Sequence, residues 1–320
     1  MEINCLYTIP KDIIGPTLLE LAKENEKIVV MSSDVSVSCN IEMFHEQYPD
    51  RFFEMGIAEQ STMSVSGGLA AEGFIPVYVA LAIFSNGMTW AQTRQICNSN
   101  LNVKVIGTHA GVDDGQDGSG HHATEDIAIS RVLPRMTVLA PSDENDVKAA
   151  MKAMIEYQGP VYMRVAREEQ PLIHSKECRF VIGKAEYLKD EGDDFAIVFE
   201  GTALKQALDG WKKLKEAGKY GKLISIRTIK PIDSKCINEL ADKVEMIITV
   251  ENHSIIGGLY STVCEALGKR KHKAIIKAVG FRDEFMMSGS SKDIKEKYNV
   301  SGQKVFEVFF EENSLEGKIE

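Results

Sequence analysis

The sequence predicts an α/β protein built from two open, mostly parallel sheets, a larger one followed by a smaller one. Three observations predict it: short β-branched runs alternate with helix-period segments, the rhythm breaks around residues 167–194, and a second series of the same kind follows. In the first series the strand candidates are "KIVVMSS", "FFEMGI", "IPVYVAL", "VKVIGTH", "TVLAPS" and "VYMRVA". Their near-continuous apolar character suits strands covered on both faces, as parallel strands are. The Ala-rich, charged segments between them are the matching helices. In residues 167–194, "REEQPLIHSKECRFVIGKAEYLKDEGDD", charge density rises, and this stretch is expected to be the linker. The second series, "FAIVFEG", "KLISIRT", "MIITVEN" and "AIIKAVG", has a helix-period segment after each strand. The expected domains are residues 1–178 and 179–320.

Composition narrows the function. The chain has 320 residues and is 44% hydrophobic, enough to bury two cores. Its net charge is −10, which argues against a sequence-independent grip on nucleic acid. The six cysteines (Cys5, Cys39, Cys97, Cys178, Cys236, Cys264) show no CxxC pairing, so neither a zinc site nor a disulfide framework is expected, and a reducing cytoplasm fits. The start, "MEINCLYTIPKD", lacks a basic-then-apolar leader. The longest apolar run, residues 75–84, is shorter than the roughly 20 residues of a membrane helix, so no membrane association is expected.

In open α/β sheets ligands collect beyond the carboxyl ends of the strands. Three loops there are rich in polar groups: residues 32–40, the "GIAEQ" turn containing Glu59, and residues 107–128, "GTHAGVDDGQDGSGHHATEDIA". Glycines 111, 115, 118 and 120 allow positive φ and close approach of a ligand, and His109, His121 and His122 can donate, accept or shuttle protons near neutral pH. Read together these residues form a polar substrate pocket; read singly they make the turns of an Ω-type surface loop. No His pair has helical i,i+4 spacing and no cysteine joins them, which argues against a metal. "DDGQDG" lacks the glutamate that would close a calcium loop. Glu59 has two readings as well. A first-turn glutamate complements the helix dipole. The following "STMSVSGGLAAEG" is so rich in Ser, Gly and Ala that another backbone should approach it, and an acid bordering such a seam is desolvated and able to share a proton with a ligand nitrogen.

Taken in order, "RFFEMGIAEQ", "GGLAAEGFIPV", "THAGVDDGQDGSGHHATEDIAISR", "VLAPSDENDV", "GPVYMRVAR" and "VENHSIIGGLYSTVCEALG" resemble the pyrimidine-binding and C-terminal domains of transketolases over nearly the whole chain. "GIAEQ" alone is shared with other thiamine diphosphate enzymes; "GQDGSGHHATED" is closer to the transketolase loop. The resemblance implies thiamine diphosphate as cofactor and transfer of a two-carbon ketol unit from a ketose to an aldose. It implies that Glu59 hydrogen-bonds the cofactor's aminopyrimidine, that Phe84 stacks on that ring and Trp90 lines its pocket, and that Asp34 is an acid on the cofactor side. His109, Asp117 and His121 match sugar-contacting positions, with His109 and His121 handling protons, and Ser38 matches a substrate-phosphate serine. Unaided, the same aromatic residues read as core packing, and Asp34 and Ser38 as a turn and a helix cap.

Three departures from the family pattern stand out. Gly87 replaces an aromatic, and Ile9 and Ala140 occupy the places of two phosphate-gripping arginines, so phosphorylated substrates do not follow. A whole transketolase is about twice this length and carries a "GDG…N" motif for Mg2+, or another divalent cation, and the diphosphate. "DDGQDG" with Asn145 imitates that motif only superficially. The expectation is a heterotetramer in which a separate N-terminal subunit supplies that motif and this chain is inactive alone. His253, in the second domain, is expected to be a turn or cap residue. The competing readings are the β subunit of a 2-oxo acid dehydrogenase, a 1-deoxyxylulose-5-phosphate synthase-like enzyme, and a non-catalytic assembly module.

Overall fold

The computed structural model describes residues 6–311; Cys5 lies outside them. The first half runs β1 (Tyr7–Thr8), α1 (Ile14–Glu24), β2 (Ile28–Ser32), α2 (Glu42–Gln47), β3 (Phe52–Glu54), α3 (Glu59–Ala71), β4 (Ile75–Leu81), α4 (Trp90–Asn98), β5 (Lys104–Thr108), α5 (Asp126–Arg131), β6 (Thr137–Leu139), α6 (Glu144–Glu156) and β7 (Val161–Arg164). The second half runs β8 (Gln170–Pro171), β9 (Glu186–Asp190), β10 (Phe195–Phe199), α7 (Leu204–Glu216), β11 (Gly221–Ser225), β12 (Thr228–Lys230), α8 (Ser234–Lys243), β13 (Met246–Ser254), α9 (Leu259–Leu267), β14 (Ile275–Phe281), α10 (Ser291–Lys297) and α11 (Gly302–Phe310).

The larger sheet has the order β12-β6-β7-β5-β4-β2-β3, parallel except for β12. The smaller has the order β14-β13-β10-β11-β9, parallel except for β9. Every strand expected from the sequence is present, and the class is the expected one. The apolar run at residues 75–84 forms β4 and the turn after it, and no helix among the described residues is long and apolar enough to cross a membrane.

The linker expectation needs correction. Residues 186–190 of that stretch form β9, the antiparallel edge of the smaller sheet, and residues 170–171 pair with β1. Charged, half-exposed strands at an edge carry no apolar run, so the period that marks central strands is missing there. β12 was also hidden. Only three residues long, it leaves the second half to pair with β6 of the first.

Strand side chains alternate between faces, and the cores follow that alternation. Val30, Val77 and Ile106 face α1 and α6, where they meet Ile14, Leu18, Val147 and Met151. Their neighbours Met31, Tyr78 and Val105 face the other way, into one apolar cluster that continues through Val138 to Val198, Ile224 and Ile247 of the smaller sheet. The outer face of that sheet, Phe195, Ile197 and Phe199, packs on Leu204, Trp211 and Val305 of α7 and α11. Each such side chain contributes about 1.5–3 kcal/mol on burial, and the shared cluster is what makes the two halves one body.

Candidate active site

Because β2, β3, β4, β5 and β7 run parallel in register, their carboxyl ends share one edge of the larger sheet. The chain leaves that edge through Asp34 and Ser38 after β2, Glu59 after β3, Phe84 after β4 and His109 after β5. Candidates up to 75 residues apart in sequence are therefore gathered by strand direction alone.

Glu59 is the first residue of α3 and only 9% exposed. Beneath that turn lies a buried hydroxyl relay: Ser33 Oγ is 2.8 Å from Thr62 Oγ1 and 2.9 Å from the Tyr78 phenol, and Thr62 Oγ1 donates to Ala58 O at 3.0 Å. The relay ties α3 to β2 and β4. Burial foremost pushes the Tyr78 phenol above its usual value; the Ser33 hydrogen bond opposes this and the charge of nearby Glu59 adds to it. On α3, Gly67 packs on Ile96 and Leu101 of this chain, while Gly68 faces open space beside exposed Ser61, Ser64 and Val65. The small-residue stripe is thus only half covered.

Phe84 lies in a short π-helical turn, half-buried, its ring edge-on to His121 with centroids 5.3 Å apart and planes at 79°. His121 Nδ1 is enclosed without a hydrogen-bond partner among the described residues. Asp117 is exposed; burial foremost raises the pKa of the neighbouring Asp114 carboxyl, with the pull of Arg167, its ion-pair partner, opposing and the charge of Asp117 adding. Trp90 opens α4 and its indole N–H donates to Ile129 O at 2.9 Å, so its ring is held against α5. Asp34 takes a left-handed φ of 62° and its amide donates to Glu54 Oε1 at 2.7 Å; Ser38 is exposed.

His109 is buried, with a left-handed φ of 57°. Its Nδ1 lies 2.8 Å from Thr108 Oγ1, which is 3.4 Å from Cys39 Sγ. Burial chiefly, with the cations Arg167 and Lys11 adding, lowers its pKa to about 4. It is a neutral imidazole at physiological pH, able to give or accept one hydrogen bond but not to act as a charged acid. Ala140 is fully buried, with its amide donating to Arg227 O at 2.8 Å, and Ile9 precedes a short 3-10 turn.

The loop glycines have a different role from the one read in the sequence. A Cβ on Gly111 would lie 2.2 Å from Asn252 Cγ, on Gly115 2.5 Å from Gly289 O, and on Gly118 2.6 Å from Ser288 Oγ. These three admit the second domain, not a ligand; only Gly120 faces open space. Also unforeseen are Asp113, fully buried, which accepts from Arg167 N at 3.0 Å and pairs with Lys295 at 2.9 Å, and Asn252. Their partners lie 139 and 182 residues away in sequence, beyond any local signal. His253 is a cap: Nδ1 donates to Ser254 O at 2.6 Å, which leaves Nε2 to accept from Ala128 N, in the first turn of α5, at 3.4 Å. Among the described residues no group of three or more His, Cys, Asp or Glu is placed to hold a metal ion.

Residues 11–171 match the family "Transketolase, pyrimidine binding domain", and residues 183–305 match "Transketolase, C-terminal domain". A chain of Methanocaldococcus jannaschii that carries the name of a transketolase C-terminal section is 37% identical over 319 residues, covering 99% of this chain and 100% of that one. A 6-deoxy-6-sulfo-D-fructose transketolase subunit of Clostridium sp. strain MSTE9 is 32% identical over 296 residues, covering 92% and 91%. Among solved structures, one described as a split gene transketolase, inactive beta4 tetramer, superposes with a TM-score of 0.84 at 36% identity and covers 94% of this chain and 96% of that one.

Proposed function

This chain belongs to the transketolase family, and from that premise we propose that it is the C-terminal subunit of a split, thiamine diphosphate-dependent enzyme that moves a two-carbon ketol unit from a ketose to an aldose. In this reading residues 1–178 bind the pyrimidine end of the cofactor, residues 179–320 form the C-terminal domain, and a separate N-terminal subunit supplies the diphosphate and Mg2+ site within a heterotetramer. The observation that carries the proposal is the largely buried Glu59 at the start of the half-covered helix α3, on the same sheet edge as His109.

The residues present fit such a cofactor. Glu59 is a largely buried residue whose carboxylate has no hydrogen-bond partner among the described residues, as one reserved for a ring nitrogen would be, Phe84 offers a half-buried ring, and the enclosed His121 Nδ1 has no partner of its own among the described residues. When bound, the cofactor supplies the carbon nucleophile and the electron sink. The protein's part is to hold and move protons around it. Glu59 would share a proton with the cofactor's pyrimidine, and the relay of Ser33, Thr62 and Tyr78 fixes the helix turn that carries it. His109 bonds a sugar oxygen as a neutral ring, Asp117 takes a sugar hydroxyl, and His121 moves a proton to or from an alcohol oxygen. Asp34 and Ser38 lie at the cofactor and substrate ends, and Trp90 braces the wall beside Phe84. The uncovered Gly68 face of α3 is where a second chain closes the site.

The test is to mix the chain with a second chain bearing "GDG" and a downstream asparagine and to offer it phosphorylated and unphosphorylated ketoses. Aldose release that requires both chains and thiamine diphosphate supports the proposal. Decarboxylation of a 2-oxo acid without ketol transfer would replace it with the dehydrogenase reading.

A further inference from the structure

The loop carrying Asp117 and His121 is fastened mainly from the other domain. Asn252, at zero exposure near the end of β13, binds it with three hydrogen bonds: Oδ1 accepts from Val112 N at 3.2 Å, and Nδ2 donates to Ala110 O at 3.2 Å and Asp113 Oδ1 at 3.0 Å. Its own backbone is fixed as well, N donating to Glu200 Oε1 at 2.9 Å and O accepting from Arg164 Nη2 at 3.2 Å. Asp113, so gripped, also pairs with Lys295 of α10 at 2.9 Å. Further along, Gly289 N donates to Gly115 O at 3.1 Å and Ser254 N donates to Thr124 O at 2.8 Å. The second-domain anchors thus bracket Asp117 and His121, and Asn252 grips the residues immediately after His109. The bare α-carbons at 111, 115 and 118 are the complementary half of this device.

We propose that the C-terminal domain positions the substrate loop, with Asn252 as the principal positioning residue and Lys295 as the second. Buried amide hydrogen bonds to backbone are costly to leave unmade, so losing Asn252 leaves Ala110 O and Val112 N without that partner and removes one of the groups holding Asp113, which Lys295 and the Arg167 and Glu168 amides still bind. The loop then samples other conformations while the larger sheet and Glu59 stay in place. The proposal rests on the reading of His109, Asp117 and His121 as sugar-contacting groups.

Two measurements test it. In the chain alone, amide hydrogen exchange is compared between the protein and its Asn252→Ala and Lys295→Met variants. Faster exchange at residues 110–124, with β4 and β5 unchanged and with Lys295→Arg behaving like wild type, is expected. In the two-chain complex, Asn252→Ala should lower kcat/KM for the sugar about 100-fold, the scale of a misplacement near 1 Å, while thiamine diphosphate affinity holds. Unchanged loop exchange in both variants overturns the proposal, as does a loss of kcat/KM no larger than the loss of cofactor affinity. If ketol transfer itself is absent, the exchange measurement still decides whether the domain holds the loop, so the two failures are distinguishable.

Discussion

Replacing His174 with glutamine should remove a pH-dependent part of the stability. His174 is buried in the segment joining the two sheets, with Nδ1 2.9 Å from Asp143 Oδ2 and Nε2 2.9 Å from Glu186 Oε2. Asp143 Oδ2 also accepts from the amides of Ile173 and His174 at 2.7 and 2.8 Å, and Glu186 lies 3.0 Å from Arg227 Nη1. Burial by itself would lower the imidazole pKa; the two carboxylate bonds outweigh it and raise the value from 6.5 to about 10. A folded-state value above the unfolded one means that the stabilisation is complete below the unfolded pKa and is lost as pH rises through the folded one. Between those limits the slope reaches about 1.4 kcal/mol per pH unit, so moving from pH 7 to pH 9 removes about 2–3 kcal/mol. Urea unfolding of wild type and His174→Gln at both pH values isolates the effect, since the other titrating groups are common to both proteins. The stability gap should narrow by that amount at pH 9. A gap constant to within about 0.5 kcal/mol would refute the doubly bonded imidazolium.

Two further outcomes follow from the loop. Gly111→Ala, at φ +67° with its new Cβ 2.2 Å from Asn252, should lower the thermal midpoint by an amount equivalent to several kcal/mol, and a midpoint shifted by less than about 1 °C would show that the domain contact is loose. His109, its pKa lowered to about 4, should stay neutral in an NMR titration of the chain from pH 9 down to about 5; a midpoint near the ordinary histidine value would mean that the ring is open to water.

The central strands were legible because burial on both faces of a parallel sheet forces unbroken apolar runs; Ile75–Leu81 is β4 to the residue. Glu59 and His109 drew notice because the loops beyond parallel strands gather at one edge, whereas Phe84 came only from the family resemblance. What escaped is equally physical. β9 is a charged edge and β12 is too short for a period to register. Glycines 111, 115 and 118 gave a true signal of close approach, but sequence does not say what approaches, and the visitor is the other domain. Tyr78 reads as an ordinary strand residue until Ser33 and Thr62 are brought to its hydroxyl by the fold.

The most direct measurement of the central claim is the ketol-transfer rate of the two-chain complex carrying Glu59→Gln at saturating thiamine diphosphate. A side chain of the same shape that holds no charge should leave the cofactor bound and slow transfer by about 100-fold or more, the usual loss when a proton-transfer partner is removed. A rate near that of the unaltered complex would contradict the account.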